Sequence, residues 1–307
     1  MIARLRVGGV TLEVRAAQPT PALLLPKRFR PFVPSRGADI ALRLAPEPVP
    51  TVSASDLLFD SGGTWRVYRR GRRLLYAFRP PMGEGPPARA VLTDRSRRRG
   101  TLYLPPSAAG RSRGFALSYP LDELLFQHHL AHAGGLVLHA CGVAFGGRAV
   151  LLCGRSGAGK TTMARLFRSV LPDATVLSDD RIVVRRRGRS WRAFGTPWHG
   201  SGRFATAGSA AVAAVVFLDQ SRATRLLPIP VANAAVRLLA QSFPPLWERE
   251  GMARSLRTTT AMAADVPAYL LRFEPDRGAV EAVVGGIGLP TGRSRLQGRP
   301  GARSLLR

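Results

Sequence analysis

The stretch "VLLCGRSGAGKTT" (150–162) decides how this chain is read. Within it, Gly154 to Thr161 fit the pattern G-x-x-x-x-G-K-[ST]. In a loop of that spacing, glycines let successive backbone amides converge on phosphate oxygens, the lysine adds a point charge, and the final hydroxyl is offered to a divalent cation. The apolar run before the loop reads as a strand. After it, "TTMARLFRSVL" has helical spacing in Met163, Leu166, Phe167 and Leu171 and stops at Pro172. Strand, glycine loop and helix together are the setting the motif needs, and the helix start adds its positive dipole end. Composition argues against coincidence. Lysine occurs only at Lys27 and Lys160, and one of the two stands in this loop. The expected nucleotide-binding set is Gly154, Arg155, Ser156, Gly157, Ala158, Gly159, Lys160, Thr161 and Thr162.

Working outward, "LVLHACGVAF", "GG" and "RAVLLC" predict two strands around a tight turn that deliver the chain to Gly154. Before them, "YPLDELLFQHHLAHAGG" predicts an amphipathic helix opened by Asp122 and Glu123 and closed at Gly134-Gly135. Downstream, "ATVLSDDRIVV" places Asp179 and Asp180 at the end of a short apolar run. One such carboxylate can ligate Mg²⁺ while its neighbour accepts a hydroxyl proton. Which of the two is the base stays open. So does the plainer reading, in which the pair opens a turn and is matched by nearby arginines. "RGRSWRAFG" completes a hairpin, and "AAVAAVVFLD" (210–219) has the length of a buried strand. Helices are expected at "VANAAVRLLAQS" and "EGMARSLRTTTAMAA", a strand at "AYLLRFEP", and a short closing helix near "GAVEAVVG".

Up to about residue 118 the grammar differs: short period-two stretches such as "LRVGGVTLEVR", "IALRLA" and "TWRVYRRGRRLLYAFRP" predict an antiparallel sheet. The proline-rich pieces "QPTPALLLPKRFRPFVPSRG" and "RPPMGEGPPAR" read as ordered loops or crossovers, because proline removes ladder donors. The organisation expected is a β-rich N-terminal region over 1–118, a nucleotide-binding domain over 119–285 and a disordered basic tail over 286–307.

With 307 residues, 45% apolar and 21% charged, and no apolar run approaching eighteen residues, the chain reads as a globular protein without a membrane span. Its N-terminus, "MIARLRVGGVTLEVR", reads as strands and not as a signal peptide, so a cytoplasmic location is expected. Cys141 and Cys153 are too few for a disulfide framework and wrongly spaced for a metal finger, which leaves two buried thiols. The formal charge of +27 is nearly all arginine, spread along the chain beside turn residues as in "RSRRRG" (95–100) and "RRRGR" (185–189). Zinc spacing, a heptad-bearing basic helix and an aromatic-basic consensus are all missing, so solvated faces are expected and a nucleic-acid partner is not.

"GRSGAGKTTMARL", preceded by "LHACGVAFGGRAVLLC" and followed by "LSDDRIVV", resembles the C-terminal kinase domain of HPr kinase/phosphorylase, and the loop is also similar to that of ATP-dependent phosphoenolpyruvate carboxykinase. The resemblance implies an α/β (α+β overall) nucleotide-binding domain and Mg²⁺-dependent transfer from ATP to a protein serine. It makes Gly154 to Thr161 the ATP site, Asp179 and Asp180 the metal and base carboxylates, and Thr161 a further metal ligand. His139 stands fifteen residues before the first loop glycine, where the family has a histidine, and becomes a polar group near the phosphates. The family's acidic residue followed by Ile-Arg-Gly has no counterpart, which leaves phosphorylase activity unsupported. In its place "GTPWHGSGRF" (195–204) is similar to a segment of HPr-kinase-like proteins found beside peptide-modifying enzymes. Trp198, His199 and Arg203 would there cover the γ-phosphate or grip the acceptor; a proline turn packed by a tryptophan is the alternative.

The function expected is therefore a Mg·ATP-dependent serine kinase, with Lys160, Asp179, Asp180 and His139 as catalytic residues and a protein or peptide as partner. A homo-oligomer is left open. Two alternatives stay beside it: a small-molecule kinase or carboxykinase-like enzyme, and a non-catalytic nucleotide-sensing or nucleic-acid-binding module.

Overall fold

The computed structural model describes residues 1–79, 87–94, 96–106 and 115–289. Most of the expected tail, residues 80–86 of the second proline-rich piece and Arg95 of the first arginine run lie outside the described residues. The chain is a mixed α/β protein with two β-sheets.

The first sheet runs in the order β1-β2-β3-β8-β7-β6-β5-β4, with β1 Ile2–Val7, β2 Val10–Arg15, β3 Ile40–Ala45, β4 Leu57–Asp60, β5 Trp65–Arg70, β6 Arg73–Phe78, β7 Arg89–Thr93 and β8 Arg99–Tyr103. It is not wholly antiparallel as expected. β2 pairs β3, and β3 pairs β8, in parallel. A parallel neighbour needs a crossover, and the first proline-rich piece supplies it. Residues Pro21–Leu23 and Lys27–Phe32 form short 3-10 helices that bury Leu23, Phe29 and Phe32.

The second sheet holds β9 Gly135–Phe145, β10 Arg148–Cys153, β11 Thr175–Ser178, β12 Arg181–Arg187, β13 Ser190–Phe194, β14 Ser209–Gln220, β15 Arg225–Pro228 and β16 Ala268–Phe273. Strand β10 pairs β9 antiparallel and β14 parallel, so β10, β9, β12, β13 and β14 close into a circuit. The tight turn into β10 is Gly146-Gly147, both at positive φ. Successive residues of β10 face opposite cores, as a strand buried on both sides requires. Leu151 joins one core with α3 Val231–Ala240 and α4 Arg249–Asp265; Val150 and Leu152 join another with α2 Lys160–Val170 and α5 Arg277–Gly286. The edge strand β15 escapes the sequence reading because "RLLP" is short and ends in proline.

Helix α1, Leu121–His132, lies between the two sheets. Its expected amphipathic character is corrected: ten of its twelve residues are buried, Asp122, Glu123, Gln127 and His128 among them. The apolar residues of α1 pack in one core with Leu5, Leu12 and Tyr76 of the first sheet and Val137, Val183 and Trp198 of the second half. No described helix is long and apolar enough to cross a membrane.

Candidate functional site

The loop from Gly154 to Gly159 joins the end of β10 to the start of α2. Gly157 (φ 80°) and Gly159 (φ 97°) occupy the left-handed region, which side-chain-bearing residues rarely adopt. Gly154 is tight for another reason: a Cβ there would meet that of Ala158 at 2.7 Å. Arg155, Ser156, Gly157 and Thr162 are exposed, while Ala158, Gly159 and Thr161 are half-buried. Gln220 Nε2, at the end of β14, donates to the Gly157 carbonyl across 3.1 Å and braces the loop from the side.

Helix α2 starts without a side-chain cap and without an acidic residue in its first turn. Its first amides therefore have neither an intrahelical acceptor nor a carboxylate of their own turn to cap them, the condition under which a helix start draws an anion. The Lys160 ammonium donates to the carbonyls of Gly154 (2.7 Å) and Arg155 (3.1 Å), so it lies against the loop. Burial pushes its pKa down against the pull of Asp180.

Asp179 and Asp180 follow directly on the last residue of β11, at the strand end that was expected. Ser178 pairs with Gly142 and Arg181 with His139 along β9, so the two acids form the bend between β11 and β12. In that bend the two carboxylates meet different partners. Asp179 is buried: Oδ1 accepts the Gly200 amide at 2.9 Å, and Oδ2 accepts the Gly202 amide at 2.7 Å and the Thr161 hydroxyl at 3.4 Å. Asp180 is half-buried, with His139 Nε2 at 3.2 Å from Oδ1 and Arg181 Nη1 at 2.8 Å from Oδ2. Burial alone would raise the Asp180 pKa. The His139 hydrogen bond and the Arg181, His139 and Lys160 charges outweigh it and hold the carboxyl below its ordinary value.

The structure thus brings together the loop, Lys160, Thr161, Asp179, Asp180 and His139. It also answers the plainer reading of the acidic pair, because Asp180 is indeed matched by an arginine. That arginine is part of the site's frame. Arg181 Nε donates to Glu123 Oε1 at 2.8 Å, and its guanidinium lies 4.2 Å from the Phe243 ring centroid.

In the 195–204 segment, Trp198 is buried, packs edge-on against Phe126 and donates from Nε1 to Asp122 Oδ2 at 2.8 Å. The packed-tryptophan reading holds for that residue. His199 is half-buried and Arg203 exposed, and Gly200 and Gly202 bring the segment onto Asp179. Sequence reasoning missed the roles of Arg181, Glu123, Asp122 and the two glycine amides. The adjacency of Arg181 to the acids was the one available signal. Cys141 and Cys153 are buried free thiols, and burial pushes Cys153 up to about 12, so both stay protonated.

Thr161 and Asp179 offer hard oxygen donors on facing elements, which suits a magnesium ion. Asp179 Oδ2 is held in place by the Gly202 amide, and an acceptor oriented in this way needs little rearrangement to ligate.

A family described as "SynChlorMet cassette protein ScmC" matches residues 123–276. The chain belongs to the ScmC family. The matched span runs from Glu123, which holds Arg181, to Asp276, which caps α5, and so takes in the whole site of this ScmC-family chain. Among solved structures, the Hpr(Ser) kinase/phosphatase from Coxiella burnetii is similar at 14% identity and a TM-score of 0.29, over 53% of this chain and 99% of that one. No curated protein matches.

Proposed function

We propose that this chain is a Mg·ATP-dependent kinase that transfers the γ-phosphate to a serine hydroxyl of a protein or peptide. The observation that carries this reading is the meeting of an uncapped helix start with two carboxylates that have separate tasks: Thr161 faces Asp179 across 3.4 Å, and Asp180 is held ionised beside His139 and Arg181. A nucleotide-binding domain of the HPr kinase or carboxykinase kind is the fold reading that goes with it.

In this mechanism the loop amides and the start of α2 bind the β- and γ-phosphates. Lys160 leaves the carbonyls of Gly154 and Arg155 for the phosphate oxygens, whose charge exceeds that of two neutral acceptors. Thr161 and Asp179 would hold magnesium, which when bound neutralises charge on the transferred group. Asp180 accepts the serine proton as the hydroxyl oxygen attacks phosphorus; the bond to the bridging oxygen breaks and ADP departs. Arg181 and His139 fix the Asp180 carboxylate and keep its pKa low, so it is unprotonated before reaction. His199 and Arg203 lie on the segment that reaches Asp179, and they are the residues available to a polypeptide acceptor.

The test is to incubate the purified protein with labelled ATP, Mg²⁺ and the polypeptides encoded by neighbouring genes, and to locate transferred phosphate by mass spectrometry. Phosphoserine that disappears in Asp180→Asn supports the reading. Phosphate transfer that persists in that variant at the wild-type rate removes Asp180 as the base.

A further inference from the structure

Two histidines on the later turns of α1 take no part in the site described above. His128 and His132 are four residues apart and share a helix face. Both meet Glu248, the residue before α4: His128 Nε2 is 2.7 Å and His132 Nε2 is 2.6 Å from Oε2. The three ligating atoms lie within 4.8 Å of one another.

The surroundings fix the orientation of all three groups. The Tyr76 hydroxyl is hydrogen-bonded to His128 Nδ1, and Arg97 holds the other oxygen of Glu248. Trp247 packs edge-on against His128. His128 is buried, whereas His132 and Glu248 are 22% and 14% exposed at the side chain, so the cluster opens to solvent on one side.

We propose that His128, His132 and Glu248 bind a single divalent transition-metal ion, with zinc the best match to the donors. Two imidazole nitrogens and one carboxylate oxygen are a set that zinc accepts, with water in the fourth position. Bonds of about 2.0–2.2 Å in a tetrahedron place ligand atoms roughly 3.3 Å apart, so each nitrogen withdraws from Oε2 by less than about 1 Å. A tautomer with the proton on Nδ1 frees the Nε2 lone pair of His128. Tyr76 then accepts from Nδ1, which is the outer partner a metal-bound histidine ordinarily has. Because Arg97 holds Oε1, Glu248 binds through Oε2 alone.

The ion would act as a clamp. Tyr76 belongs to the first sheet, the histidines to α1, and Glu248 to the approach to α4. At 1.5 Å per residue, His132 is about 13 Å along α1 from Glu123, which holds Arg181. The metal would thus secure the helix whose first turn supports Asp180 and Trp198. Simple hydrogen bonding of both histidines to one carboxylate is the rival explanation.

The experiment uses the full-length protein stripped with a chelator and then given Zn²⁺ alone, with bound metal counted by mass spectrometry after gel filtration and melting followed in parallel. One equivalent is expected to be retained and to raise Tm. His132→Ala and Glu248→Gln are each expected to weaken zinc binding by about 10–100-fold or more. His129→Ala, on the same helix but outside the cluster, is expected to leave binding unchanged. Should His132→Ala fold poorly, the absorption bands of tetrahedral Co²⁺ in the wild-type protein, and their loss in Glu248→Gln, read the same site. Failure to retain zinc, or retention unaltered by His132→Ala and Glu248→Gln, overturns the proposal.

Discussion

Trp198 donates from its indole nitrogen to Asp122 Oδ2 at 2.8 Å, with both side chains buried. The segment that carries Gly200 and Gly202 is thereby anchored to the first turn of α1. The bond has an unusual acceptor. Burial pushes the Asp122 carboxyl up to about 7, against the opposing Trp198 hydrogen bond, and its Oδ1 has no hydrogen-bond partner.

A pH dependence follows. The folded-state value lies above the ordinary one, so between the two the folded chain holds a proton that the unfolded chain has released. This group therefore costs stability progressively as pH rises from the ordinary carboxylate value to about 7, the cost is complete above that, and it vanishes below the ordinary value. Asp122→Asn keeps an acceptor for Trp198 and cannot ionise. Its Tm is expected to match wild type at about pH 4.5 and to exceed it at about pH 8.5. Thermal melts at the two pH values check this; a variant less stable than wild type at the higher pH would refute the burial argument.

Lys160→Ala is expected to lower ATP affinity or turnover by about 100-fold or more, since a charged donor to phosphate oxygens has no substitute in the loop. Calorimetric titration with ATP and Mg²⁺ provides the measurement. Binding as tight as wild type means that the loop is not a phosphate cradle.

For the acids, Asp180→Asn is expected to leave ATP binding within a few-fold of wild type and to reduce transfer by about 10²–10⁴. Arg181→Gln removes a cation 2.8 Å from the same carboxylate, so the Asp180 pKa rises. The acid limb of kcat/KM should then move to higher pH, because the base is protonated sooner. An unshifted profile places the titrating group elsewhere.

Gly202→Ala tests the seat of Asp179. The new Cβ would lie 2.7 Å from Asp179 Oδ2 and 2.7 Å from Thr161 Cγ2. These side chains or the Gly202 backbone must shift, at a cost of about 1–3 kcal/mol in urea unfolding. Magnesium dependence should weaken by about 10–100-fold, as for loss of a group that orients a metal ligand. A wild-type magnesium titration would show that Asp179 does not hold the ion.

The strand, glycine loop and helix around 150–170 were legible because they are local: the loop spans eight successive residues and its flanking strand and helix obey simple periods. The segments around it were legible for the same reason. The dual environment of Asp179 and Asp180 was not, because it depends on partners distant in the chain, the Gly200 and Gly202 amides for one and His139 for the other. Asp122 and Glu123 misled in a specific way. Acids in a first helical turn usually face water and favour the dipole, whereas here both are buried and accept from Trp198 and Arg181. The parallel pairings of β3 were hidden because a strand's own sequence does not state the direction of its neighbour.

Val183 lies in the same core as Leu5 and Tyr76, and Gly8 approaches it so closely that a Cβ would fall 2.4 Å from Val183 Cγ1. The two halves of this chain are thus fused like the panels of a vault, each lacking an inner wall of its own. A protease cut before α1 that released the first hundred residues would leave Trp198 and Val183 wet, and the second half should then precipitate instead of surviving as a smaller folded protein.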